Sequence, residues 1–205
     1  MNLYRGTKIS GLKEMKPRLV NHGEPLVYAT TDIVEAIIYS VKGGNLNYTN
    51  LYGYDDDGKR CLIERKEGTL KDVFSTSGRY YILDDSTFFK HEVLGVGDNE
   101  YVSREKVKVL DEIVIPNVYD YLCEQERKGI IKIYYYPNRP LAYPDDDGDL
   151  IECAICMYLN GEDSMKSFEL LEKYHPELHD RIIITKDYLN RTDKEKVQEE
   201  LKYFK

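Results

Sequence analysis

Short apolar runs alternate with polar residues through the first half of the chain, and the second half shifts to helical spacing. Residues 2–8 and 25–28 are brief runs that read as strands, the first ended by Gly6 and the second opened by Pro25. Ile33, Val34, Ile37, Ile38 and Val41 then recur on one helical face. Thr31-Asp32 offers an N-cap and Gly43-Gly44 a stop, so the spacing predicts a helix over 33–41. Runs 51–54 and 60–65 flank Asp55-Asp56-Asp57-Gly58, and Asp-Gly between two apolar runs predicts a hairpin. Further strands are predicted over 80–83, 88–93, 100–102 and 107–115, the last ending at Pro116. Residues 11–18 are polar, end in Lys16-Pro17-Arg18 and read as a loop.

Beyond Pro116 the pattern predicts helices over 118–128, 150–159, 164–173 and 193–204, a strand over 130–136 and a loop over 137–144. Val197, Leu201 and Phe204 share one face of the last helix. Residues 182–185 form an apolar run too short to assign. The sum is an α+β protein: a domain of short strands over 1–116 and a mostly helical extension over 117–205. Asp-Asp-Asp-Gly recurs at Asp145 with different flanks, so both copies read as turns, the second capping the helix from Leu150.

The 205 residues carry a net charge of −8, which leaves no overall surplus for gripping nucleic-acid phosphates. Arg5, Lys8 and Lys13 interrupt any apolar leader, and no run is long enough to cross a bilayer. The expectation is a cytoplasmic chain with reduced thiols and no membrane partner. Cys153 and Cys156 lie on a predicted helix beside Ile155 and Met157 without a second close pair, so they read as core residues and no metal is expected. His175 and His179 are separated by Pro176 and lack the zinc-protease arrangement.

Three pieces carry candidate chemistry: Leu3-Tyr4-Arg5-Gly6-Thr7, then Val27-Tyr28-Ala29-Thr30 with Tyr39, then Asn99-Glu100-Tyr101-Val102. In this order and spacing they resemble the ADP-ribosyltransferase fold, in its poly(ADP-ribose)-polymerase-like branch. Arg5 stands where that branch has histidine; with Ser75-Thr76-Ser77 it is similar to the toxin-like branch instead. Ala36 replaces a serine of the first branch, and no Glu-x-Glu occurs at Glu100. The resemblance spans roughly residues 1–116. It implies split antiparallel sheets, NAD as substrate, and release of nicotinamide with transfer of ADP-ribose to an acceptor that could be a protein, a nucleic acid or a small molecule. It implies a catalytic role for Glu100 and binding roles for Arg5, Gly6, Thr7, Tyr28, Tyr39 and Ser75.

The implied roles make chemical sense. Cleaving the nicotinamide–ribose bond builds positive charge on the sugar, which a carboxylate at Glu100 would favour. Tyr28 and Tyr39 would sandwich the leaving ring, and Gly6 would let its main chain approach the carboxamide. Arg5 would grip phosphate or ribose with its planar guanidinium. Other readings share the scaffold: a module that binds NAD or ADP-ribose without turnover, a transferase removing a 2′-phosphate from RNA, and an interaction protein working through its C-terminal helices.

Overall fold

A computed structural model describes residues 1–19, 24–41, 46–91, 99–143, 148–159 and 164–202. In chain order the elements are β1 (Leu3–Gly6), β2 (Glu14–Met15), β3 (Arg18–Leu19), β4 (Pro25–Thr30), α1 (Ile33–Val41), α2 (Leu46–Thr49), β5 (Asn50–Tyr54), β6 (Arg60–Glu64), α3 (Thr69–Phe74), β7 (Gly78–Leu83), β8 (Glu100–Ser103), β9 (Val107–Ile115), α4 (Val118–Arg127), β10 (Lys132–Tyr134), α5 (Gly148–Leu159), α6 (Ser164–Tyr174), α7 (His179–Arg191) and α8 (Lys194–Lys202). The class is α+β with antiparallel sheets. Among the described residues no helix is long and apolar enough to cross a membrane.

The chain forms two compact units, Met1–Gly43 with Gly68–Ile133, and Gly44–Glu67 with Tyr134–Lys205. This division differs from a boundary near Pro116. Buried Tyr48 belongs to the same apolar cluster as Leu150, Phe168, Leu171 and Ile182, so the β5–β6 region joins the C-terminal helices. Helix α4 stays with the first unit, burying Val118 and Leu122, and a Cβ on Gly78 would lie 2.6 Å from Val118 Cγ2. Neither assignment shows in a local pattern, because each is fixed by what the apolar face packs against.

In the first unit, one antiparallel sheet has the order β2-β9-β7-β1-β4-β3, with β8 also on β4. Cross-strand partners share a face, and alternate residues point oppositely. Leu3, Val27, Ala29, Tyr81, Leu83 and Val107 build a core on one face with Met15. Helix α1 packs on the other face, where Gly6 meets it. The α1 start is fixed as its sequence predicts: Asp32 Oδ1 accepts from the N–H groups of Val34 (2.9 Å) and Glu35 (3.1 Å), and Thr30 Oγ1 donates to Glu35 Oε2 at 2.6 Å.

In the second unit, the hairpin forms with Leu51 opposite Ile63, and Asp55 Oδ1 accepts from the Asp57 and Lys59 N–H groups across the turn. Tyr48 Oη pairs with Ser167 Oγ, and His175 Nε2 lies 2.6 Å from the Tyr48 carbonyl.

Several elements depart from the sequence reading; the short helix α2 was not expected, and the described part of the 88–93 run is no strand. Helix α3 was not expected; it buries Leu70 and Phe74, one turn apart. The 182–185 run is part of α7, where Ile182 and Leu189 turn to the core and Ile183 and Ile184 stay exposed. Three consecutive isoleucines favour a strand locally, and the seven-residue spacing of Ile182 and Leu189 decides otherwise. The 11–18 loop contains the two short strands β2 and β3. The Gly43-Gly44 stop, the end of the 88–93 run, most of the 145–149 turn and Phe204 lie outside the described residues; Phe89 forms a bridge to Val102.

Candidate functional site

Strands β1 and β4 meet with Tyr4 opposite Thr30. Beyond that pair the described residues record no further register, while β1 follows β7 from Leu3↔Leu83 to Gly6↔Tyr80 and β4 follows β8 from Thr30↔Glu100 to Val27↔Ser103. The two halves of the sheet therefore part between β1 and β4. The Thr7 N–H donates to the Arg79 carbonyl at 3.4 Å, so the odd residues of β1 bond toward β7. By the same alternation the Gly6 main chain faces β4, into the opening.

Arg5 occupies that opening. Its Nη1 donates to the Tyr28 carbonyl at 2.7 Å. Burial, and secondly the nearby Arg18 guanidinium, push the Arg5 pKa below the ordinary arginine value, partly offset by Tyr28. Arginine still carries its charge there, so two neighbouring cations share a partly buried place.

A cavity of about 570 Å³ adjoins the opening, lined by Arg5, Thr7, Lys13, Lys16, Arg18 and Glu14 together with apolar residues of β4 and the 9–15 segment. Four cations face one carboxylate in a chain whose net charge is −8. Glu14 Oε1 is 3.3 Å from Lys16 Nζ and 3.7 Å from Lys106 Nζ, which reduces its local effect. The wall is held from a distance in sequence. Tyr81 Oη donates to the Ile9 carbonyl at 2.8 Å, β2 pairs with β9, and β3 places Arg18 opposite Leu26. Such a concave, cation-lined space suits an anionic ligand.

Tyr28, Thr30 and Glu100 lie on the α1 face by register, whereas Arg5 projects to the opposite face. Burial first, then the Glu100 and Glu24 carboxylates, raise the Tyr28 pKa, and Arg5 opposes them. The phenol and the Glu100 carboxylate are thus electrostatic neighbours. Glu24 is itself held down to about 2, first by its hydrogen bond from Arg104 and then by that from His91.

Gly6 has a packing reason to be glycine. A Cβ there would lie 1.6 Å from the Ala36 carbonyl oxygen and 2.8 Å from Ser40 N. Tyr39 sits on α1, 44% exposed, between the turns that carry Ala36 and Ser40. Thr7 lines the large cavity and also a smaller polar one of about 240 Å³ with Lys8, Ser40, Thr76 and Ser77. Ser75 ends α3, is exposed, and is absent from both linings; Thr76 and Ser77 after it line the smaller one. Sequence reading missed Lys13, Lys16 and Arg18 as site residues. Their signal was the basic 13–18 run, which looks like any solvated loop until it is folded over the sheet.

No protein-family model, no curated protein and no solved structure matches the chain.

Proposed function

We propose that the first unit binds NAD through the opening between β1 and β4 and transfers ADP-ribose to an acceptor, with release of nicotinamide. The observation that carries this reading is the parting of β1 from β4 beside a cation-lined cavity, with Glu100 on the same face as Tyr28. The reading accords with the ADP-ribosyltransferase resemblance of the three motifs. Arg5, with Arg18, would hold the pyrophosphate by charge-assisted hydrogen bonds. The Gly6 main chain would meet the carboxamide, and Tyr28 and Tyr39 would flank the ring.

The bond between ribose C1′ and the pyridine nitrogen breaks with its electron pair leaving on nicotinamide, which departs neutral. Glu100 stabilises the cationic sugar through a ribose hydroxyl. A lone pair of the acceptor closes the new bond at C1′, and the acceptor's proton passes to solvent.

A second reading, binding of NAD or ADP-ribose without turnover, is favoured by one feature. The Arg5 guanidinium already spans the opening to the Tyr28 carbonyl, and α1 offers the methyl of Ala36 rather than a hydroxyl. Incubation with NAD labelled in the nicotinamide separates the two. Release that falls by about 10²-fold or more in Glu100→Gln supports transfer. Heat stabilisation by NAD without release supports binding alone. Neither release nor stabilisation would overturn both.

A further inference from the structure

The cavity beside the opening carries more positive charge than the pyrophosphate of NAD can use. Arg5, Lys13, Lys16 and Arg18 line it, and Glu14 is the one carboxylate among its lining residues. Carboxylates next to it are engaged elsewhere. Glu112 accepts from Arg79 Nη1 at 2.6 Å and from the Gly11 N–H at 3.0 Å, and Glu24 is paired with Arg104 and His91. The chain past the β3 wall reads Val20, Asn21, His22 and Gly23, which include no acid.

The cations are held in place but not neutralised. Arg5 donates to the Tyr28 carbonyl, a neutral acceptor. Lys13 and Arg18 make no ion pair among the described residues, and both are exposed to an incoming ligand. The Val109 N–H donates to the Lys13 carbonyl at 3.0 Å, and Arg18 lies opposite Leu26, so β9 and β4 fix the main chain that carries them. Glu14 Oε1 is shared between Lys16 at 3.3 Å and Lys106 at 3.7 Å, and one carboxylate cancels only one of the two.

The sheet decides which part of a dinucleotide meets these lysines. Tyr28 and Glu100 stand on the α1 face, so an acceptor attacking C1′ comes from there. Arg5 stands on the opposite face and lines the cavity. With the nicotinamide in the opening and the pyrophosphate on Arg5 and Arg18, the adenosine half enters the cavity, where Leu12 and Leu26 offer apolar surface to the base. The lining cations less Glu14 leave three positive charges, of which the pyrophosphate diester uses two. Lys106 raises the remaining one to two. A phosphate monoester carries about −1.5 to −2 near neutral pH, which matches that remainder.

We propose that the dinucleotide of this site carries a further phosphate on its adenosine ribose, so that the substrate is NADP in preference to NAD. The monoester at O2′ lies between Lys13 and Lys16, with Lys106 beyond Glu14 completing the charge. This inference rests on the reading that the opening takes the nicotinamide end. A bare 2′-hydroxyl leaves Lys13 without an anion, and a monoester brings it charge-assisted hydrogen bonds.

ADP-ribose and ADP-ribose 2′-phosphate are the probes, since neither can lose nicotinamide, and calorimetric titration of the full chain at physiological ionic strength is the readout. The 2′-phosphate form binds at least tenfold tighter. In a Lys13→Gln, Lys16→Gln double variant the ratio of the two affinities falls below about threefold; both side chains are on the surface, so folding is not at stake. Equal affinities in the unmodified chain overturn this inference alone and leave NAD as the ligand. A preference for the 2′-phosphate form that is undiminished in the double variant overturns the assignment to these lysines. Binding of neither compound overturns the nicotinamide reading and this inference with it.

Discussion

Gly6→Ala tests whether the glycine is set by packing or by an approaching ligand. An added Cβ would stand 1.6 Å from the Ala36 carbonyl oxygen, 2.7 Å from its carbon and 2.8 Å from Ser40 N. All three are main-chain atoms, so no rotamer change relieves the contact. Reaching a tolerable 3.0 Å requires strand and helix to part by about 1.4 Å. Such a shift would strip contacts from Ile37 and Ile38, both buried. Overpacking of a rigid site costs about 3 kcal/mol, the upper end for added methylenes. Gly11→Ala is the matched control: its φ is +71° and nothing lies within 4 Å, so only left-handed backbone strain of about 1–2 kcal/mol remains. Hydrogen exchange of β1 and α1 peptides reads the difference locally, without requiring the two units to unfold together. At 1.4 kcal/mol per tenfold, Gly6→Ala should accelerate protected amides about 100-fold, well beyond Gly11→Ala. Protection lost equally in the two variants, or preserved in Gly6→Ala, would refute the packing account and leave the glycine to be explained by the opening alone.

Two further outcomes follow from the same site. Arg5→Met removes the donor to the Tyr28 carbonyl and one of the neighbouring cations; it should cost about 1–3 kcal/mol of stability and weaken ADP-ribose binding at least tenfold, read as a lost thermal shift, and retained stabilisation by ADP-ribose would rule out Arg5 as an anion contact. Glu24 has a folded pKa of about 2, below its ordinary value, so its pairing with Arg104 and His91 stabilises above the ordinary glutamate range and is lost as pH falls through about 2. A carboxyl NMR titration should place its midpoint there and Arg104→Ala should raise it; an ordinary midpoint in the unmodified chain would contradict the geometry.

How much of this was legible depended on whether the deciding contact was local. The α1 boundaries follow from Asp32 and from apolar residues at Ile33, Val34, Ile37, Ile38 and Val41, all within one helix. The β5–β6 hairpin follows from its Asp-Gly turn. Helix α7 did not, because Ile182–Ile184 favours one state locally and the packing of Ile182 and Leu189 imposes another. The site divides in the same way. Arg5, Gly6, Tyr28 and Glu100 were recognisable as residue types in order. Lys13, Lys16 and Arg18 become site residues only through Tyr81, β9 and β4, which hold their segment over the sheet.

The register adds a constraint that motif order could not supply. Arg5 pairs with Tyr81 on the core face, and Tyr28 pairs with Val102 on the α1 face. A ligand lying flat on either face reaches one of them. To touch both side chains it must pass between β1 and β4, where the Gly6 main chain also points. An extended molecule with a flat ring at one end and anionic groups farther along satisfies this, and a compact anion does not. On this geometry inorganic pyrophosphate should compete for the Arg5 side of the opening without shielding Tyr28 from modification by tetranitromethane. NAD should shield Tyr28 as well, and equal shielding by the two would mean that the opening is not threaded.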